Sequence, residues 1–143
     1  MQRLTSSEFG HADGAEEIPP NVPKPGGVGA TAWSRVDADH LAGTATRRSK
    51  TGFLVHIDSA PVCWMSKKQN SVESSSFGSE FIAMKQCCEH VRGLCCKLRM
   101  MGIPVNGPAH TQGDNKSVLC DSSIPDSTSN KKSQSIACLF MRE

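Results

Sequence analysis

Aromatic residues are scarce in this chain of 143 residues: they make up 5% of it, with two tryptophans and no tyrosine. The hydrophobic fraction is also low, at 37%. A chain of this length has room for one domain with one core. Because aromatic side chains are so few, that core must rest on aliphatic, methionine and cysteine residues. We expect a single domain of marginal stability.

Long apolar runs are missing as well. No stretch approaches the ~20 consecutive apolar residues that a transmembrane helix needs. The first five residues, MQRLT, lack the apolar run of a signal peptide. The sequence therefore predicts an intracellular protein, either cytoplasmic or nuclear.

Zinc-finger spacings are absent although the chain has seven cysteines. The count is odd, and two pairs are adjacent in the sequence, Cys87-Cys88 and Cys95-Cys96. Adjacent cysteines on a helix point in different directions, so such pairs do not suit one closed zinc site. Free thiols in a reducing compartment are expected. A zinc or thiol protein built on the paired cysteines is kept as an alternative.

The net charge of +2 is unevenly distributed. Residues 1–30 carry two basic and four acidic groups, which leaves fourteen basic and ten acidic groups for the remainder. This mild excess permits a polyanionic partner without requiring one. Residues 1–32 are rich in proline and glycine and have little hydrophobic periodicity, which predicts a flexible arm or polyprotein connector. The folded domain is then expected over residues 33–143.

The first half of that domain has the pattern of β-strands. Residues 32–39 alternate weakly, with Asp37 on the more polar face. Residues 51–57 and 61–66 are apolar segments joined by three residues, a length that suits a hairpin. Trp64, in the second of these segments, is expected to lie in the core.

A helical period follows the strands. Gly102 and a nearby proline predict the end of this helix, and residues 109–114 and 115–120 predict a weak strand and a short helix. Residues 136–141 form an apolar run that predicts a last helix. The order predicts an α/β fold in which helices pack on a mixed sheet with a three-stranded antiparallel part. The apolar stripe of the long helix consists of Phe77, Phe81, Met84, Cys88, Val91, Cys95 and Leu98.

Three carboxylates stand at informative positions in this pattern. Asp37 lies near the end of the first strand, Glu80 at the margin of the apolar stripe in the first turn of the helix, and Asp114 at the end of the weak strand. Carboxylates that converge from separate elements can hold two divalent ions for nucleic-acid hydrolysis. The same residues also suit a turn, a helix dipole and a helix cap, and their spacing leaves both interpretations open.

Short sequence blocks occur in a fixed order over about residues 33–143. They are VDADH at 36–40, TGF at 51–53, APV at 60–62, SKKQ at 66–69, ESSSFGSEFIA at 73–83, KLRMMGIP at 97–104 and GDN at 113–115. In this order they resemble the ribonuclease H segment of copia-type retrotransposon polyproteins, within the reverse transcriptase and ribonuclease H region.

The resemblance implies a ribonuclease H like fold and a hydrolase that cleaves the RNA strand of an RNA–DNA hybrid during reverse transcription. It implies Asp37, Glu80 and Asp114 as the catalytic residues and as ligands of Mg²⁺ or Mn²⁺ if the domain is active, with Asp39 as a second candidate for the first position. If the domain is inactive, no cofactor is expected. The partner is an RNA–DNA hybrid or another nucleic acid.

The nucleic acid would be held by basic residues that flank the sheet, namely Arg47, Arg48, Lys67 and Lys68, since lysine and arginine contacts to phosphate set non-specific affinity. After Lys131-Lys132 the histidine and acidic residue common in the family have no match. The domain is therefore expected to be incomplete at its C-terminal end, with weak or no hydrolysis. The alternative is a non-catalytic nucleic-acid-binding module or a pseudogene product.

Overall fold

The structure, a computed structural model, describes residues 29–41, 47–123 and 141. Four strands and two helices lie within these ranges. In chain order they are β1 (Ala32–Asp39), β2 (Lys50–Ile57), β3 (Ala60–Lys68), α1 (Ser76–Met100), β4 (His110–Gln112) and α2 (Lys116–Ser123).

The strands form one mixed sheet in the order β3-β2-β1-β4. β1 pairs antiparallel with β2, and β2 pairs antiparallel with β3. β4 runs parallel to β1, because α1 carries the chain back across the sheet before β4 begins. The prediction of an α/β fold with a three-stranded antiparallel part and a long packed helix is confirmed.

The hydrophobic core lies between one face of the sheet and α1. Phe53 and Val55 of β2 are fully buried, and Ala83 and Cys87 of α1 face them without exposed surface. α1 packs on β1, β2 and β4, and α2 packs on α1. Small side chains on the helix allow a close approach to the sheet, so a core with few aromatic residues still excludes water.

Both ends of α1 follow from local sequence. The Ser75 side chain caps the start by accepting a hydrogen bond from the backbone N–H of Gly78 at 3.2 Å. At the other end Gly102 has a φ of +78°, and its N–H donates to the carbonyl of Arg99 at 3.0 Å. A glycine accepts this left-handed conformation without steric strain, so it ends the helix.

The predicted burial of Trp64 is wrong. Its side chain is 57% exposed on β3, whereas Trp33 of β1 is 2% exposed. Trp33 stacks on His56 with ring centroids 3.9 Å apart and donates its indole N–H to the carbonyl of Asp58 at 2.8 Å. Alternation places both tryptophans on the face opposite α1, but Trp33 lies on the inner strand β1 and Trp64 on the edge strand β3, which has a neighbour on one side only.

The first strand has the predicted bounds, while β2 and β3 are longer than predicted and β4 is shorter. Ala30 is buried and bridges Val105, so the packed chain includes residues before β1. Most of the predicted arm, residues 1–28, lies outside the described residues. The predicted last helix, residues 136–141, also lies outside them except for residue 141. Neither described helix is long and apolar enough to cross a membrane.

Candidate metal centre

Asp37 lies near the C-terminal end of β1, opposite Gly52 of β2. Its side chain is exposed, because it alternates with the buried Val36 and Ala38. The Oδ1 atom accepts a hydrogen bond from the backbone N–H of Ala38 at 2.7 Å. This bond fixes the carboxylate at the end of the sheet and leaves its second oxygen available.

Glu80 is the fifth residue of α1 and therefore lies at the start of its second turn, rather than in the first turn as predicted. Its neighbours on the buried side are Phe81 and Met84, which pack in the core. The Glu80 side chain itself is half-buried at the margin of the packed face. Glu80 therefore places its carboxylate near the end of β1, from the helix that packs on one face of the sheet.

Asp114 follows β4 by two residues and is exposed. Parallel pairing of Arg35 with Gln112 brings this end of β4 beside β1. The next residue, Asn115, caps α2 through its Oδ1 atom, which accepts from the N–H groups of Ser117 at 3.1 Å and Val118 at 3.3 Å. Asp114 is therefore held between a strand end and a helix start.

Gly113 explains why the chain approaches so closely here. A Cβ atom at this position would lie 3.0 Å from Cε of Met84 and 3.7 Å from Cγ1 of Val36. A larger side chain would suit a strand at this position. The packed structure, however, has space for one only if Met84 moves. The glycine lets the segment before Asp114 lie against both α1 and β1.

One carboxylate oxygen from each of Asp37, Glu80 and Asp114 lies within 4.8 Å of the other two. Ligands on opposite sides of one Mg²⁺ are about 4.2 Å apart, given metal–oxygen distances of 2.0–2.1 Å, and Ca²⁺ accepts wider spacing. The limit of 4.8 Å exceeds this distance by about 0.6 Å, so a modest side-chain rotation would be needed to place all three oxygens on one Mg²⁺. Three anionic oxygen donors suit a hard divalent cation, and among the described residues no other group of three ligating side chains is found.

Burial and the neighbouring negative charges disfavour the ionised form of Glu80. Burial, and after it the negative charges of Asp114 and Asp37, raise the pKa of Glu80 to about 7, although a hydrogen bond with the Ala38 backbone opposes the shift. Near neutral pH the Glu80 carboxyl therefore holds a proton part of the time. A divalent cation would replace that proton.

Gln69 joins the elements that carry the cluster, although nothing in the sequence distinguishes it from other polar residues. Its side chain is 1% exposed, and Nε2 donates to the carbonyl of Ser79 at 2.8 Å and to Oγ1 of Thr51 at 3.1 Å. Its backbone N–H donates to the carbonyl of Ser49 at 2.8 Å. These bonds join the ends of β2 and β3 to the turn of α1 that carries Glu80.

Gln69→Leu is expected to lower the free energy of unfolding by about 1–3 kcal/mol, because it leaves the buried carbonyl of Ser79 without this donor. Chemical denaturation followed by circular dichroism measures the change. Asn70→Ala, at the exposed neighbouring position, is the matched control and should change stability by less than about 0.5 kcal/mol. Equal stabilities for the two variants would contradict the structural role of Gln69.

The four basic residues predicted to contact phosphate are all exposed. Arg47 and Arg48 directly precede β2, while Lys67 and Lys68 end β3. Lys68 pairs with Lys50 at the start of β2, so these side chains lie at the end of the sheet that carries the carboxylates. The structure brings them to one side of the molecule, and phosphate contact stays a prediction.

The cysteines of the described residues are free thiols. Burial raises the pKa of Cys87 to about 12, so this thiol stays protonated and serves in packing. Burial also raises the pKa of Cys88 and of Cys95. Within the described ranges no cysteine belongs to a group of three metal-ligating side chains, and the zinc alternative finds no support there.

No family model matches the chain. It is 30% identical over 79 residues, 55% of its length, to the retrovirus-related Pol polyprotein from transposon RE2 of Arabidopsis thaliana, and 29% identical over 79 residues to that from transposon RE1. It is also 33% identical over 63 residues to secreted RxLR effector protein 161 of Plasmopara viticola. The chain spans 5% of each polyprotein and 44% of the effector protein. The polyprotein matches support a retrotransposon polyprotein origin.

Proposed function

We propose that this chain is a ribonuclease H like domain derived from a retrotransposon polyprotein. Its ancestral activity is metal-dependent hydrolysis of RNA in RNA–DNA hybrids, and in this chain that activity is slow or absent. The observation that carries the proposal is the meeting of Asp37, Glu80 and Asp114 within 4.8 Å, from a strand, a helix and a turn that are far apart in sequence.

The topology supports the same proposal. Three antiparallel strands, a long helix and a strand parallel to the first are compatible with the fold that the sequence resemblance implies. The polyprotein matches add an independent line of support. Fold alone does not specify activity, so the proposal depends on the site.

Mg²⁺ or Mn²⁺ bound at the cluster would polarise a phosphate oxygen and lower the pKa of a water molecule. The chain supplies the charge that holds the cation. Asp37 and Asp114 contribute exposed carboxylates, and Glu80 would give up its proton as the cation binds because an adjacent positive charge favours the ionised carboxylate. Lys67 and Lys68, at the same end of the sheet, would hold phosphates of the substrate.

The proposal is tested with a hybrid whose RNA strand is end-labelled, in the presence of Mg²⁺ or Mn²⁺. We expect at most slow accumulation of cleaved RNA, since the tail after Lys132 lacks the matching histidine and acidic residue. Glu80→Gln should reduce any cleavage by more than about 100-fold, because loss of even an outer-shell partner costs 10–100-fold.

Glu89→Gln is the matched control, because Glu89 is an exposed residue of the same helix, paired with Lys85 at 3.8 Å. It should cleave at the wild-type rate. Cleavage that persists unchanged in Glu80→Gln would show that the carboxylate cluster does not catalyse it. Rapid cleavage by the wild-type chain would show that the expectation of weak activity is wrong.

A further inference from the structure

On the face of the sheet opposite α1, a row that contains a glycine and a serine lies between two rows of larger side chains, and this strip is called the groove. Its floor is the row formed by Asp37, Gly52 and Ser66, which are direct cross-strand partners on β1, β2 and β3. Direct partners share a face of the sheet. Gly52 has no side chain and Ser66 a small one, so the floor is low. It leads from the outer edge of β3 to the carboxylate of Asp37.

One wall of the groove carries an aromatic side chain. It is the adjacent row of partners Arg35, Leu54 and Trp64, which is apolar on β2 and β3 and carries an exposed arginine on β1. The indole of Trp64 is 57% exposed and Leu54 is half-buried. Val62, two residues before Trp64 on β3, is 44% exposed and extends the apolar surface. A large flat ring thus faces solvent beside a groove.

The opposite wall is mainly basic. It is the row of partners Asp39, Lys50 and Lys68, and the exposed Arg47 and Arg48 directly precede it in the chain. The two walls are four residues apart along each strand, or about 13 Å between backbone rows. Cations on one side and an aromatic ring on the other are the two features with which proteins bind single-stranded nucleic acid.

We propose that this groove, with Trp64 as a stacking platform, binds a single strand of nucleic acid. Bases stack on Trp64 and Leu54, and the phosphates lie along Lys50 and Lys68. A fully paired duplex does not offer its base faces, so stacking on Trp64 contributes to the binding of an unpaired strand and not to that of a paired hybrid. Trp64 lies about 12 Å from Asp37 across the sheet, by strand spacing and rise. The binding requires no divalent cation, so it extends beyond the proposed hydrolysis.

Tryptophan fluorescence provides a direct test, because the chain has two tryptophans and no tyrosine. Trp33 is 2% exposed and stacked on His56, so it stays shielded, whereas Trp64 reports on the groove. An oligothymidylate of about 12 nucleotides, within the site sizes typical of such grooves, is titrated in EDTA. We expect quenching of Trp64 emission and a salt-dependent affinity.

Anisotropy of the labelled oligonucleotide then compares variants. Trp64→Ala should weaken binding about 10-fold, in line with the loss of one stacked base, and Trp64→Phe should recover most of it. Gly52→Val should also weaken binding, because it raises the floor while favouring a strand and leaving Trp64 in place. Lys68→Gln should reduce the salt dependence by about 0.7 in the log–log slope.

Three outcomes would overturn the proposal: no quenching in the wild-type chain, equal affinity of Trp64→Ala and wild type for oligothymidylate, or an equal loss of affinity of Trp64→Ala for a fully paired RNA–DNA hybrid. These outcomes are separable from failure of the metal site. Glu80→Gln should retain oligothymidylate binding in EDTA, and Trp64→Ala should retain any stabilisation by Mg²⁺. Circular dichroism establishes that each variant is folded.

Discussion

Glu80→Gln is expected to abolish stabilisation of the protein by Mg²⁺. If the cluster binds Mg²⁺ with a Kd of ~1 mM, about 10 mM of the ion stabilises the wild-type chain by about 1.4 kcal/mol. For a chain of this size that raises Tm by about 4 °C. The variant retains two carboxylates and loses the one that reaches over from α1, so its Tm should not respond. Differential scanning fluorimetry measures the shift, with sodium chloride at matched ionic strength as the reference.

The same substitution has the opposite effect without metal. The folded protein raises the pKa of Glu80 from its ordinary value of 4.5 to about 7. The folded state therefore binds the extra proton between these values, and the stabilisation it provides is present below about pH 4.5 and lost as the pH rises to 7. In EDTA at about pH 8 the variant should be more stable than wild type by about 1 kcal/mol, a value reduced for solvent screening.

At about pH 5 the neutral Glu80 resembles glutamine, and the two proteins should unfold alike. Glu89→Gln, which changes an exposed residue of the same helix, should follow the wild type at every pH and retain the response to Mg²⁺. An equal rise in Tm on addition of Mg²⁺ to wild type and Glu80→Gln would contradict the metal site.

Phe53→Ala is expected to cost about 3–5 kcal/mol of stability, the usual range for a buried phenylalanine. Phe53 has no exposed surface and lies at the centre of the sheet, between Val36 and Met65, with the His90 ring 5.0 Å away. The loss approaches the whole stability of a small domain. Chemical denaturation should show a variant that is largely unfolded under conditions in which wild type is native.

Leu54→Ala is the matched control for this prediction, because Leu54 is the next residue of β2 and faces away from α1. It is half-buried, so its truncation should cost less than half as much. Similar losses at the two positions would show that the core does not lie where α1 meets the sheet.

Hydrophobic periodicity was sufficient to predict the main elements. Alternation gave β1 its observed bounds, and intervals of three and four residues located α1. β2 and β3 extend further than predicted because their ends carry Lys50, Lys67 and Lys68, which are typical of loops in a sequence but also of solvated sheet ends. Polar strand ends contain no periodic signal.

The sequence was enough to select each of the three carboxylates, but it did not predict the distance between them. It depends on the parallel pairing of β4 with β1, a contact between residues 77 positions apart. The exposure of Trp64 was missed for a related reason. Trp33 and Trp64 face the same side of the sheet, and Trp64 is exposed because β3 is an edge strand; the sequence of a strand does not record its place in the sheet. Gln69 was missed because its value lies entirely in tertiary hydrogen bonds.

The contact between Gly113 and Met84 couples the interior of the domain to its acidic end. Because the methyl group of Met84 fills the space that a side chain at 113 would occupy, the reach of Asp114 toward the other two acids is set by how tightly a methionine fits. Ions of different radius require different separations between their oxygens. If the cluster binds a cation as proposed, its preference would therefore depend partly on two residues that carry no charge, Gly113 and Met84.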